Sequence, residues 1–160
     1  VLAIMQGGLS WALIALLAAG LLAAAVLDWR SRTIPNGLNA AIALGAIPFW
    51  VVSGVPLWPG VAVHIGVALA VFAIFAFAFH VGMMGGGDVK MLGAVALWLP
   101  PLAVMQLLVL MSLAGGVLTI AMLVPHKLAK RSAALEIPYG IAIAFAGFWL
   151  ISERILNQFV

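Results

Sequence analysis

Acids are scarce enough in this chain to be taken one by one: Asp28, Asp88, Glu136 and Glu153. Asp28 stands in "LDWRSRTIPN", directly after one apolar run. Asp88 stands in "GMMGGGDVKML", directly before another and behind three consecutive glycines. Acids at apolar boundaries are costly, and by default they are functional candidates that work in pairs. Two carboxylates that approach each other cannot easily both ionise, so they hold one proton between them. Such a pair contains a base that activates water and an acid that protonates a carbonyl oxygen. That is the acid–base chemistry of aspartyl proteases. A blander reading stands beside it. Asp88 suits the N-cap of a helix "VKMLGAVALW", and Asp28 could pair with Arg30 or Arg32 among lipid headgroups. Paired acids also mark proton and solute pathways, which makes a small transporter or proton-conducting protein the second reading.

The glycines add to the acid beside them. Gly85, Gly86 and Gly87 lack side chains, so the backbone there is free to bend and an extended peptide could lie against it. Lys90 either snorkels to the membrane interface or holds a carbonyl or carboxylate of a bound peptide. His80 and His126 read as interfacial and His64 as a packing histidine. Other hydrolytic chemistries fit poorly. The chain has no HExxH and no cysteine, and its three scattered histidines make weak metal ligands, so no metal site is expected. No serine sits in a G-x-S-x-G setting, and "GGGDVK" lacks the spacing of a phosphate-binding P-loop.

The elements that must position these acids are membrane helices. The chain has 160 residues, 67% hydrophobic and 7% charged, where an ordinary soluble domain is about a quarter charged. A soluble core cannot use that much apolar surface, which makes the chain an integral membrane protein. The formal charge of +3 is too small and dispersed for a nucleic-acid surface. A bilayer crossing takes about 20 apolar residues. Runs of that kind lie near 8–27, 37–54, 60–80, 89–99, 101–124 and 138–156. The expected fold is all-α: one domain over 1–160, a bundle of six transmembrane helices. The run from Val89 to Pro100 covers only about half a bilayer at roughly 1.5 Å per residue. The fourth helix is therefore short and preceded by a Gly-rich, non-helical stretch, expected at Met83–Gly87. Irregular backbone at that depth must be covered by protein or a watery cavity. The first run lacks a basic flank and a cleavage site, and reads as a retained helix.

Charge orients the bundle. Arg30 and Arg32 follow the first run, Lys90 opens the fourth, and Lys127, Lys130 and Arg131 lie in "HKLAKRSAALE", while "SGVPLWPG" and "LPP" carry no charge. By the positive-inside rule the basic connections are cytoplasmic and both termini lie outside. Asp28 and Asp88 then share the cytoplasmic membrane level. Trp50, Trp58, Trp98 and Trp149 are expected in an outer interfacial belt and Trp29 in an inner one.

Three stretches together, "LDWRSRTIPN", "GGGDVKML" and "IPYGIAIAFAG", give the chain a resemblance to the type IV prepilin peptidases, the GxGD membrane aspartyl proteases. It looks closest to the short branch that serves Flp/Tad-type pili. The tetrapeptide fits as Gly85-x-Gly87-Asp88. The resemblance implies an aspartic endopeptidase of the bacterial inner membrane, needing no cofactor, with Asp28 and Asp88 as the catalytic pair. Its protein partner would be a prepilin or pilin-like substrate, cut on the cytoplasmic side just before its hydrophobic stem. Pro35, Asn36, Pro138, Tyr139 and Gly140 join Gly85–Gly87 and Lys90 as expected active-site residues. Longer members carry a four-cysteine domain after the first helix and methylate the new N-terminus. Here that connection is short and cysteine-free, so no methyltransferase activity is expected. A non-catalytic pilus-assembly scaffold of the same fold is the remaining alternative.

Overall fold

A computed structural model describes residues 2–128 and 137–156. Lys130 and Arg131, on which part of the orientation argument rests, lie outside the described residues, as does Glu136. Six α-helices make up the described chain: α1 Leu2–Ser31, α2 Asn36–Val52, α3 Ala62–His80, α4 Gly86–Ala96, α5 Pro101–Leu128 and α6 Tyr139–Leu156, with a π-type turn at Leu57–Val61 leading into α3. Three stretches, Gly7–Ser31, Leu57–His80 and Pro101–Leu128, are long and apolar enough to cross a membrane, and α2 is a shorter apolar helix.

The short helix is the centre of the bundle. In α4 every residue from Asp88 to Ala96 except Lys90 is buried. Helices α2, α3 and α6 pack around it, α1 closes against α2 and α6, and α5 lies along α6. At about 1.5 Å per residue its 11 residues span roughly 16 Å, and the helices packed around it are all longer.

Helix α1 shows why an acid ends up inside. Its buried residues are Ile14, Leu17, Leu21, Ala24 and Asp28, a spacing of three and four that keeps one stripe facing the bundle. Asp28 is the last position of that apolar stripe. The stripe seats closely because small residues oppose it. A side chain at Gly147 of α6 would meet Leu21 at 2.7 Å, and one at Gly20 would meet Ile42 of α2 at 3.1 Å. Small residues let membrane-type helices approach in this way.

Two expectations change here. Helix α4 starts at Gly86, three residues before Val89, so the irregular stretch is Val81–Gly85 and the last two glycines are helical. Packing explains why both positions are glycine: a side chain at Gly86 would press on Phe79 at 3.2 Å, and one at Gly87 on Ile34 at 3.3 Å. Asp88 therefore sits in the first turn and is not the N-cap. That place belongs to Gly85, in extended conformation. The tryptophan belt also needs correction. Trp50 and Trp98 are buried because their indole N–H groups donate to the carbonyls of Leu97 (2.9 Å) and Ile42 (2.8 Å). Trp50 thereby satisfies a backbone oxygen left open where α4 ends. Trp29, Trp58 and Trp149 are exposed.

Candidate active site

The sequence stretch after α1 determines how the first acid is held. Helix α1 ends in a left-handed residue, Arg32, at φ +55°, whose N–H donates to the Asp28 carbonyl at 3.0 Å. This is the αL form of helix termination, usually given to glycine. An arginine there costs about 1–2 kcal/mol of backbone strain. The turn swings the guanidinium 5.6 Å over the Trp29 ring and toward Asp28. Ile34 follows, buried, in an extended segment between α4 and α6: it contacts the positions of both Gly87 and Gly140. Pro35 then starts α2, its carbonyl accepting from Leu38 and Asn39 N–H at 3.1 and 3.2 Å.

Asp88 comes to the same place from the other side. Asp28 is 5% exposed and Asp88 7%, and the two line one cavity of about 480 Å³ with Arg32, Gly82, Met83, Met84, Gly85, Ile137 and Tyr139. They are close enough to interact as charges, and the Gly140 amide faces both carboxylates. The Ile141 amide also faces Asp28, and the Gly85 amide faces Asp88. The N-terminal ends of α4 and α6, the positive ends of their dipoles, thus converge on the carboxylate pair. Gly85 and Gly140 permit this approach: a side chain at either would come within 2.9 Å of Asp88 Oδ2 or 2.8 Å of Asp28 Oδ2. Two buried atoms here, Asp28 Oδ2 and Arg32 Nη1, have no hydrogen-bond partner of good geometry among the described residues.

The expected residues divide between this cavity and its scaffold. Asp28, Asp88, Gly85 and Tyr139 line the cavity, and Gly140 presents its amide to it. Gly86 and Gly87 are packed against Phe79 and Ile34, Pro138 is fully buried, and Pro35 caps α2. Lys90 is exposed on another side of α4, where its ammonium donates to Asn36 Oδ1 at 2.8 Å. Beside that pair, buried Asn39 donates from Nδ2 to the Gly87 carbonyl at 3.0 Å. Lys90, Asn36 and Asn39 thus brace the start of α4 against the start of α2.

Three residues of this arrangement escape a reading of the sequence. Arg32 counts there only as topology or as a headgroup partner of Asp28, Ile34 as one more apolar residue, and Asn39 not at all. A polar residue inside an apolar helix, three positions after Asn36, is the signal that could have found Asn39. The turn at Arg32 carries no such local mark.

The fold and the cavity define the class: an all-helical, strongly apolar bundle that buries two carboxylates together at a cavity near the ends of three helices. A family model described as the type IV leader peptidase family matches residues 15–120, and the chain belongs to that family. The match includes Asp28 and Asp88, while α6 with Tyr139 and Gly140 lies beyond it. No curated protein and no solved structure matches the chain.

Proposed function

We propose that this leader peptidase is an aspartic endopeptidase of the bacterial inner membrane, which removes the leader of type IV prepilins of the Flp/Tad kind at the cytoplasmic face. The observation that carries this reading is the meeting of Asp28 and Asp88 in one cavity. In the proposed orientation six helices span the bilayer and both termini lie outside. The ends of α1 and α4 that bear the acids then face the cytoplasm, in line with the basic residues beside them.

The chemistry follows from one proton shared by two carboxylates. The ionised partner takes a proton from water as the water oxygen attacks the scissile carbonyl. The protonated partner gives its proton to the carbonyl oxygen, forming a neutral tetrahedral diol. Return of a proton to the leaving nitrogen breaks the C–N bond, frees the mature N-terminus and restores the shared proton. Arg32 Nη1, with its donor unused within the described structure, serves a peptide carbonyl beside the scissile bond. Gly85, the cavity-lining glycine in extended conformation, offers the peptide a bare backbone edge. Membrane lipid surrounds the bundle, and no nucleic acid takes part.

Co-expression of a candidate prepilin with Asp28→Asn or Asp88→Asn tests the assignment. Each variant should accumulate and leave the precursor uncut. Processing retained by either variant overturns the pair.

A further inference from the structure

The carboxylate cavity is not isolated in the bundle. A second groove, of about 310 Å³, adjoins it between α3 and α5, and Met83, Met84 and Tyr139 line both. Phe75 and Ala78 of α3 form one wall of the groove, and Ser112 and Gly116 of α5 the other. Helices α3 and α5 barely touch, since each is held mainly by a different neighbour, α4 and α6 respectively. Only Ala68 and Val71 of α3 are buried.

Resting on the leader-peptidase reading, we propose that the α3–α5 groove docks the apolar stem helix of the substrate and delivers its leader junction sideways from the bilayer to Asp28 and Asp88. Three observations choose this occupant. The groove adjoins the carboxylate cavity, with Met83, Met84 and Tyr139 lining both, so a helix seated in it ends beside the site. Its wall is apolar in effect: the Ser112 hydroxyl is spent on the Leu108 carbonyl at 2.7 Å. Its floor is built with methionines, Met83, Met84 and Met111, whose flexible side chains adapt to helices of differing surface. A stem that stays in lipid while its junction reaches the acids also avoids exposing its apolar residues to water. The opposite groove, between α2, α3 and α4, is larger at about 410 Å³ but shares no residue with the carboxylate cavity and carries Lys90 and Asn36 at its polar end.

The cysteine-free chain makes the test direct. A side chain at Gly116 would meet nothing within 4 Å, so Gly116→Cys and Gly116→Phe should fold. Oxidation of membranes holding Gly116→Cys and a prepilin with one stem cysteine should give a cross-linked pair. Ala43→Cys, on the opposite groove, should give none. Gly116→Phe should raise KM for the full prepilin about tenfold with kcat little changed, while cleaving a short stem-less junction peptide like the wild type. The short peptide doubles as the folding control. Cross-linking from Ala43→Cys in place of Gly116→Cys, or an unchanged KM in Gly116→Phe, overturns the groove and leaves the peptidase reading standing. A wild-type chain that cleaves neither substrate overturns both.

Discussion

Helix α4 presents two polar residues two positions apart, and the bundle treats them in opposite ways. Asp88 is buried in the cavity shared with Asp28 and lies toward the amides of Gly85 and Gly140. Lys90 is exposed, and its ammonium is occupied by the Asn36 side chain. At about 100° per residue, neighbours two apart point to nearly opposite sides of a helix. One face of α4 is therefore available for chemistry and the other for bracing. The lesson concerns the tripeptide Asp88-Val89-Lys90: adjacency in a motif does not make its residues share a site.

That contrast can be broken most sharply at the acids. Asp88→Asn should lower processing at least a thousandfold, in the range seen when acid–base groups are lost, while leaving the amount of membrane-inserted protein unchanged. A quantitative precursor-to-mature ratio on immunoblots reads it. Next comes Gly140→Ala. The added methyl would lie 2.8 Å from both Asp28 Oδ2 and Ile34 Cδ1 and must push the carboxylate aside. A loss of about a hundredfold in kcat, of the size expected from misplacing reacting groups, with an unaltered thermal melt would support the close approach. Near-normal turnover would mean that the glycine only eases packing.

Arg32 separates strain from function. Arg32→Gly removes an unfavourable left-handed conformation and should leave the protein as stable or more so. It should nonetheless lose about tenfold in kcat/KM, the worth of one donor to a substrate carbonyl, with Arg32→Lys recovering part of the loss. Purified enzyme and a junction peptide suffice, and a Gly variant as active as wild type would return Arg32 to a topological role. The smallest effect is expected on the bracing face. Lys90→Met and Asn36→Ala should each change cleavage by less than about threefold, because an exposed charged contact contributes little. Their double variant should be no worse than either alone, since the two residues serve one bond. A large loss in Lys90→Met would place the ammonium in the chemistry and dissolve the distinction between the two faces.

Much of this arrangement can be read from particular residues of the sequence. The apolar runs predicted all six helices, with ends off by up to six residues in α1, and the eleven residues before Pro100 required a short fourth helix, which has that length but lies three residues earlier. The spacing of Leu17, Leu21, Ala24 and Asp28 contains the stripe that carries the acid inward. The glycine run was legible as a special place but not in its working. Gly86 and Gly87 turned out helical, and they are glycine where Phe79 and Ile34 occupy the space a side chain would need. Nothing in the run announces which neighbours those are. Trp50 and Trp98 were misplaced for the same reason, since their partners Leu97 and Ile42 are remote in sequence.

The sequence by itself determined the groups able to do chemistry, the apolar boundaries they occupy and the absence of cysteine or zinc-type motifs. These follow from composition and local spacing. Only the tertiary structure decided that α4 turns Asp88 toward Asp28 and Lys90 toward Asn36, that Arg32 curls back toward the carboxylates, and that a groove between α3 and α5 adjoins the cavity. The physical reason is that a helix's period distributes residues over its faces, whereas which face meets which neighbour is chosen by packing. Here that choice is made by Ile34 against Gly87 and Gly140, and by Leu21 against Gly147.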